Sequence, residues 1–99
     1  MQTADAQTLV LCVLVDGPMH GYAINTAIEQ LIGQRLGVGS LYGALARLEA
    51  KNLIEPLDGQ ARQRPVRLTP TGRQVLEREL RTMARVASVG LRNLGVNPT

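Results

Sequence analysis

The chain has 99 residues, the size of one small domain, and 44% of them are apolar. A single cysteine cannot form an intramolecular disulfide, and one cysteine with one histidine cannot supply the four ligands of a structural zinc site. We therefore expect no disulfide-framed secreted domain, no metal site and no cofactor. So high an apolar content argues against disorder, and so short a chain buries only about 60–65% of its unfolded surface, which favours an oligomer.

The charge is distributed unevenly along the chain, although the net charge is only +3 and the sequence pI about 9.8. Residues 1–34 carry three acidic residues and no Lys or Arg, whereas residues 35–99 carry all eleven Lys and Arg residues against five acidic ones. All but one of these cations are Arg, whose planar fork suits phosphate and guanine. This pattern predicts a surface that faces a polyanion such as nucleic acid, although cations that merely solvate helices would give the same balance.

The longest apolar run, residues 9–15, is far shorter than the roughly 20 residues of a membrane-spanning helix. It also lacks the basic flank and the cleavage site of an export signal. We expect a cytoplasmic protein with no membrane partner.

Residues 3–15 predict a first helix, capped by Thr3 or Asp5 and ended by Gly17 and Pro18. Its second half is apolar on every side, and a domain this small can rarely surround such a helix alone, which points to a partner chain. Frequent β-branched residues leave a strand as the competing assignment.

Two further helices follow in the first half of the chain. Apolar residues recur at three- and four-residue spacing over residues 20–33. Residues 40–51 predict a third helix with Ser40 as its N-cap. Its apolar stripe leaves a surface of small residues together with Tyr42 and Arg47, whereas a solvated helix face would carry more Glu and Lys. Small residues allow a backbone to approach another surface closely.

Residues 53–57 and 65–69 predict two short strands, joined by a polar loop that begins with Asp58 and Gly59. The loop carries Arg62 and Arg64. Proline at both runs suits an exposed ribbon.

Thr69 and Pro70 predict the start of a last, long helix. Apolar and small residues follow at the spacing of a coiled-coil seam: Leu76, Leu80, Met83, Ala87, Gly90, Leu91 and Leu94. The seam predicts helix pairing between two chains. A helix folded back on its own domain is the alternative.

Three helices, a hairpin with a basic tip and a long helix together predict a mainly α (α+β) fold, a winged helix-turn-helix with a C-terminal extension. We expect residues 1–72 to form the DNA-binding domain and residues 73–99 a dimerisation helix that packs with the first helix. The third helix would enter the major groove, which is about 12 Å wide. The basic tip would lie on the backbone or in the minor groove, and the start of the second helix would meet a phosphate.

Three segments resemble the PadR-like family of transcriptional regulators: GPMHGYAI at residues 17–24, GSLYGALARLEAKNLIE at 39–55 and RPVRLTPTG at 64–72. The resemblance implies a homodimeric repressor whose first and last helices form the dimer interface. The chain departs from the family pattern at Gly43, where Pro is frequent, and at Val66, where Tyr is common.

The candidate residues fall into two groups. Those expected to contact double-stranded DNA are His20, Tyr22, Ser40, Tyr42, Gly43, Arg47, Lys51, Arg62 and Arg64. Those expected at the homodimer interface are Leu9, Val13, Leu76, Leu80, Met83, Ala87, Leu91 and Leu94. A local hydrogen bond is the alternative role for His20, and core packing is the alternative for Tyr22.

The same fold also serves as a protein–protein interaction module, which is the second hypothesis. No nucleophile–base pair, paired carboxylates or phosphate loop points to an enzyme. The resemblance implies that some family members respond to phenolic or drug-like compounds, but two tyrosines are too few for a stacked aromatic site. The sequence identifies no operator, regulated gene or effector, and it leaves a small-molecule effector open.

Overall fold

The computed structural model describes residues 5–57 and 65–97. The elements are α1 (Ala6–Val13), a 3-10 turn (Leu14–Asp16), α2 (Gly21–Ile32), α3 (Val38–Ala50), β1 (Ile54–Pro56), β2 (Val66–Leu68) and α4 (Pro70–Asn93). The predicted α+β winged helix-turn-helix fold is confirmed. The loop between the strands, with the predicted Asp58–Gly59 turn and with Arg62 and Arg64, lies outside the described residues.

The first element is a helix, so the competing strand assignment is wrong. Of the two predicted caps Asp5 is used, because its side chain accepts a 2.8 Å hydrogen bond from the Thr8 N–H. The inference that α1 needs a partner chain to bury its apolar surface is also wrong. Leu9, Leu11 and Val13 are buried in a single chain, where α1 packs against α2, α3 and α4. Because three helices surround α1, little of its apolar surface is left for a partner chain.

The turn between α2 and α3 is fixed by a buried side chain. Asn25 of α2 donates to the Leu36 carbonyl oxygen and accepts from the Leu36 N–H, each at 2.8 Å. With Leu36 held this way, α3 begins at Val38 and Gly37 is its N-cap. The prediction that Ser40 caps this helix is therefore wrong, because a contact across eleven residues sets the helix start in place of the best local capping residue.

The two strands form an antiparallel ribbon in which Ile54 lies opposite Leu68 and Pro56 opposite Val66. Val66 exchanges both of its backbone hydrogen bonds with Met19, at 2.9 and 3.1 Å. The Pro56–Val66 pair is thus not hydrogen-bonded, and the missing N–H of Pro56 costs nothing. Met19 ties the ribbon to the segment that leads into α2.

Helix α4 begins at a tight junction with the end of α3. As predicted, Thr69 is the N-cap and Pro70 the first residue; the Thr69 hydroxyl accepts from the Gly72 N–H at 2.9 Å. The same hydroxyl donates to the Asn52 carbonyl oxygen at 2.7 Å, and the Thr69 N–H donates to the Leu53 carbonyl oxygen at 3.1 Å. These bonds set the direction in which α4 leaves the domain.

Only the first turns of α4 join the core, where Leu76 is buried. Leu80, Val86 and Val89 beyond it are exposed, and the molecule measures 51 × 26 × 20 Å along its principal axes. The distal part of α4 therefore projects from the domain, and the alternative of a folded-back helix is wrong. The proposed division at residue 72 stays a prediction. In the described ranges, no helix is both long and apolar enough to cross a membrane.

Candidate nucleic-acid interface

The candidate interface consists of the outward face of α3 and the start of α2. Helix α3 packs on the core through Leu41, Ala44 and Leu48. The residues that it leaves exposed include Val38, Gly39, Ser40, Tyr42, Ala46 and Arg47, whereas Gly43 is half-buried. This face carries short side chains along its centre, which suits close approach to a groove.

Tyr42 links the two parts of the interface. A Cβ atom placed on Gly21, the first residue of α2, would lie only 2.6 Å from the Tyr42 hydroxyl oxygen. The bare Gly21 backbone thus makes room for the tyrosine ring, which lies against the start of α2 and stays half exposed to solvent. The structure brings Tyr42 and the α2 start together, although 21 residues separate them in the sequence.

The start of α2 offers donors to an anion. His20 is at the N-cap position and is exposed, but its side chain makes no capping hydrogen bond. His20 therefore does not cap α2, and its role stays a prediction. Helix N-termini without side-chain caps present N–H groups and a positive dipole end to phosphate.

Tyr22 lies one residue into α2 with 73% of its surface exposed, so core packing is wrong for this residue. The Arg35 guanidinium carbon lies 5.4 Å from the Tyr22 ring centroid, and Arg35 Nη1 lies 3.0 Å from a Glu29 carboxylate oxygen. Arg35 is a candidate that sequence reasoning missed. Its place in the turn between α2 and α3 could have identified Arg35 as a candidate. Its contact with the Tyr22 ring, 13 residues away, could not be inferred from the sequence.

The basic residues Arg47, in α3, and Lys51, just after its end, differ in their surroundings. A Cβ atom on Gly43 would lie 3.1 Å from Arg47 Nη1, so the Arg47 guanidinium lies back along its own helix beside Gly43. The Lys51 ammonium instead donates to the Gln7 side-chain oxygen of α1 at 2.8 Å. Lys51 is thus engaged with α1, whereas Arg47 is exposed on the outward side of α3.

The candidate dimer residues separate into two groups. Leu9, Val13 and Leu76 are buried within the chain, whereas Leu80 and Leu94 are 39% and 78% exposed. Ala87 is exposed, and Met83 and Leu91 are half-buried. An open groove of about 530 Å³ lies between α4 and the end of the 3-10 turn, lined by Val15, Arg73, Leu76, Glu77, Leu80, Arg81 and Ala84.

Comparison with known proteins identifies a family of transcriptional regulators. The model of the transcriptional regulator PadR-like family matches residues 10–78. The chain is 33% identical over 90 residues to the transcriptional regulator Rv3488 of Mycobacterium tuberculosis, a match that covers 87% of this chain and 82% of that protein. It is 68% identical over 87 residues to an uncharacterized 37.1 kDa protein in transposon TN4556 of Streptomyces fradiae. That match covers 88% of this chain, which spans only a quarter of that protein's length.

Solved structures agree with this assignment. A transcriptional regulator from Clostridium thermocellum superposes with a TM-score of 0.78 at 26% identity, over 88% of this chain and 87% of the other. A PadR family transcription regulator from Clostridium difficile gives 0.75 at 26% identity, over 90% and 97%.

Proposed function

The chain belongs to the PadR-like family of transcriptional regulators, and we propose that it is a sequence-specific DNA-binding repressor that acts as a homodimer. The observation that supports this most is the position of Tyr42, which lies against the uncapped start of α2 while it projects from α3. One helix can then read base edges while the other holds a phosphate.

We assign base reading to α3 and backbone contact to the rest. Ser40, Tyr42 and Arg47 are exposed on α3. Gly43 has no side chain, so the α3 backbone is less covered beside Arg47. His20 and Tyr22 at the start of α2 contact phosphate. Arg47 and the three further cations of the DNA-contact set supply the affinity that is independent of sequence.

Three further cations in the DNA-contact set carry backbone contacts in this proposal. Arg62 and Arg64 belong to the loop between β1 and β2, and Lys51 would exchange its Gln7 partner for a phosphate. Replacing Arg62 by Ala weakens binding to all duplexes and reduces the salt slope by about one.

We propose that two copies pair through the part of α4 from Leu80 onward. The seam residues Leu80, Ala87 and Leu94 are exposed in the single chain, and the seam repeats at coiled-coil spacing. A two-fold dimer places two α3 helices on a pseudo-palindromic operator with half-sites about one helical turn apart. Occupying such a site next to a promoter would repress transcription.

The test is selection of bound duplexes from a library of genomic fragments at moderate salt, followed by footprinting. A preferred pseudo-palindrome protected by a dimer is the expected result. Arg47→Ala costs about 1–3 kcal/mol on that site and relaxes one base position, whereas the control Arg92→Ala, at the far end of α4, leaves the preference unchanged. Absence of any preferred duplex refutes the proposal, and a protein partner captured instead would favour the interaction-module hypothesis.

A further inference from the structure

The contact between Asn25 and Leu36 fixes where α3 begins, but the first turn of the helix consists of weak helix formers. Its N-cap, Gly37, has no side chain to accept a hydrogen bond, and it is followed by β-branched Val38 and by Gly39. Both Val and Gly have lower helix propensity than Ala. The better capping residue, Ser40, follows but is not used as the cap.

No steric contact within the chain requires glycine at position 37 or 39. A Cβ atom on Gly37 or Gly39 would have no atom within 4 Å, and the Gly37 φ of −62° is accessible to any residue. Gly72 shows the opposite case, because a Cβ there would collide with the Leu53 carbonyl oxygen. A local rule that is broken without compensation inside the chain points to a contact outside it.

Val38 lies between these glycines with 73% of its surface exposed. It precedes Tyr42 by four residues, so the two side chains are neighbours on the same side of α3. In α3, Val38 is the only exposed aliphatic side chain larger than alanine. The first turn of α3 therefore presents one branched apolar group with bare backbone on both sides.

We propose that Val38 packs against the 5-methyl group of one thymine in each half-site, and that Gly37 and Gly39 let the α3 backbone come close to the neighbouring base edges. This rests on the proposed function and makes it more specific. Residues at the start of a recognition helix contact base edges in the major groove. Among the four bases only thymine carries a methyl group there, and small apolar side chains contact it.

The experiment replaces each thymine of the selected operator by deoxyuridine, one symmetric pair at a time. The affinity is measured by fluorescence anisotropy for the wild-type dimer, for Val38→Ala and for the control Val96→Ala. Val96 is also exposed, but it lies beyond the end of α4. At one symmetric pair, removing one thymine methyl group should lower the affinity of the wild type about fourfold. Removing both methyl groups of the pair should lower it more than tenfold. The Val96→Ala dimer should lose the same.

The deciding result is the behaviour of Val38→Ala. This variant should bind the thymine operator more weakly than wild type and show no further loss with deoxyuridine at that pair. If deoxyuridine lowers the affinity of Val38→Ala as much as that of the wild type at every position, the inference is overturned while the proposed function stays intact. If no operator is selected at all, the proposed function fails first and this inference fails with it.

A second variant tests the bare backbone. Gly39→Ala adds a methyl group in open space, so its melting temperature should equal or exceed that of wild type. Its affinity for the operator should nevertheless fall by tenfold or more, because the methyl group would occupy space needed by a base edge. Unchanged affinity would overturn the close approach proposed for this segment.

Discussion

The most demanding steric prediction concerns Gly72, in the first turn of α4. A Cβ atom there would lie 2.0 Å from the Leu53 carbonyl oxygen and 2.9 Å from its carbonyl carbon. Both are backbone atoms, so no side-chain rotation relieves the collision. In Gly72→Ala the start of α4 must therefore move away from the end of α3, and the hydrogen bonds of Thr69 to Asn52 and Leu53 are strained with it.

The magnitude follows from three terms. Forcing one methyl group into a packed site costs about 1–3 kcal/mol. Losing the two Thr69 bonds costs about 1 kcal/mol each. Alanine regains up to about 1 kcal/mol in helix propensity. The expected net loss in free energy of unfolding is therefore about 2–4 kcal/mol, a large part of the roughly 5–15 kcal/mol typical of a domain.

Urea denaturation followed by circular dichroism measures this loss, at one protein concentration for all variants. With a slope of about 1.5 kcal/mol per molar urea, the midpoint of Gly72→Ala should fall by about 1.3–2.7 M. The same substitution at Gly39, where a Cβ meets no atom within 4 Å, is the matched control and should not lower the midpoint. Equal midpoints for Gly72→Ala and wild type would refute the steric argument for this junction.

Three further predictions concern the turn, the dimer and the phosphate contacts. Asn25→Ala leaves the N–H and C=O groups of Leu36 without their partner and should cost about 2–4 kcal/mol in urea denaturation; a loss below 1 kcal/mol would contradict the anchoring role. Leu80→Glu places a charge on the seam and should give monomers in sedimentation velocity, whereas a persistent dimer would exclude Leu80 from the interface. Arg35→Ala should reduce the salt slope of DNA binding by about one without changing sequence preference, and an unchanged slope would remove Arg35 from the contact surface.

Local patterns predicted what depends on local chemistry. The Thr69 cap and the order of the elements follow from residues near one another in the sequence. Contacts between distant residues were not predicted. Asn25 sets the start of α3 from eleven residues away, and Met19 pairs with Val66 across the domain. A helix that is apolar on all sides gives no indication of whether its own chain or a partner surrounds it.

The burial of α1 within one chain changes where we expect the interface of the proposed dimer. Because Leu9 and Val13 are already covered, we expect the partner chain at the exposed apolar residues of α4 from Leu80 onward and at the groove beside Val15. Gly90 supports this position: a Cβ there would meet no atom within 4 Å, yet glycine inside a helix costs about 1 kcal/mol relative to alanine. We expect that cost to be offset where a partner helix approaches Gly90 closely. Dimerisation would then depend on α4, and recognition of the bases on α3. Substitutions at Gly90 should therefore change the affinity of the two chains for each other without changing which operator is preferred.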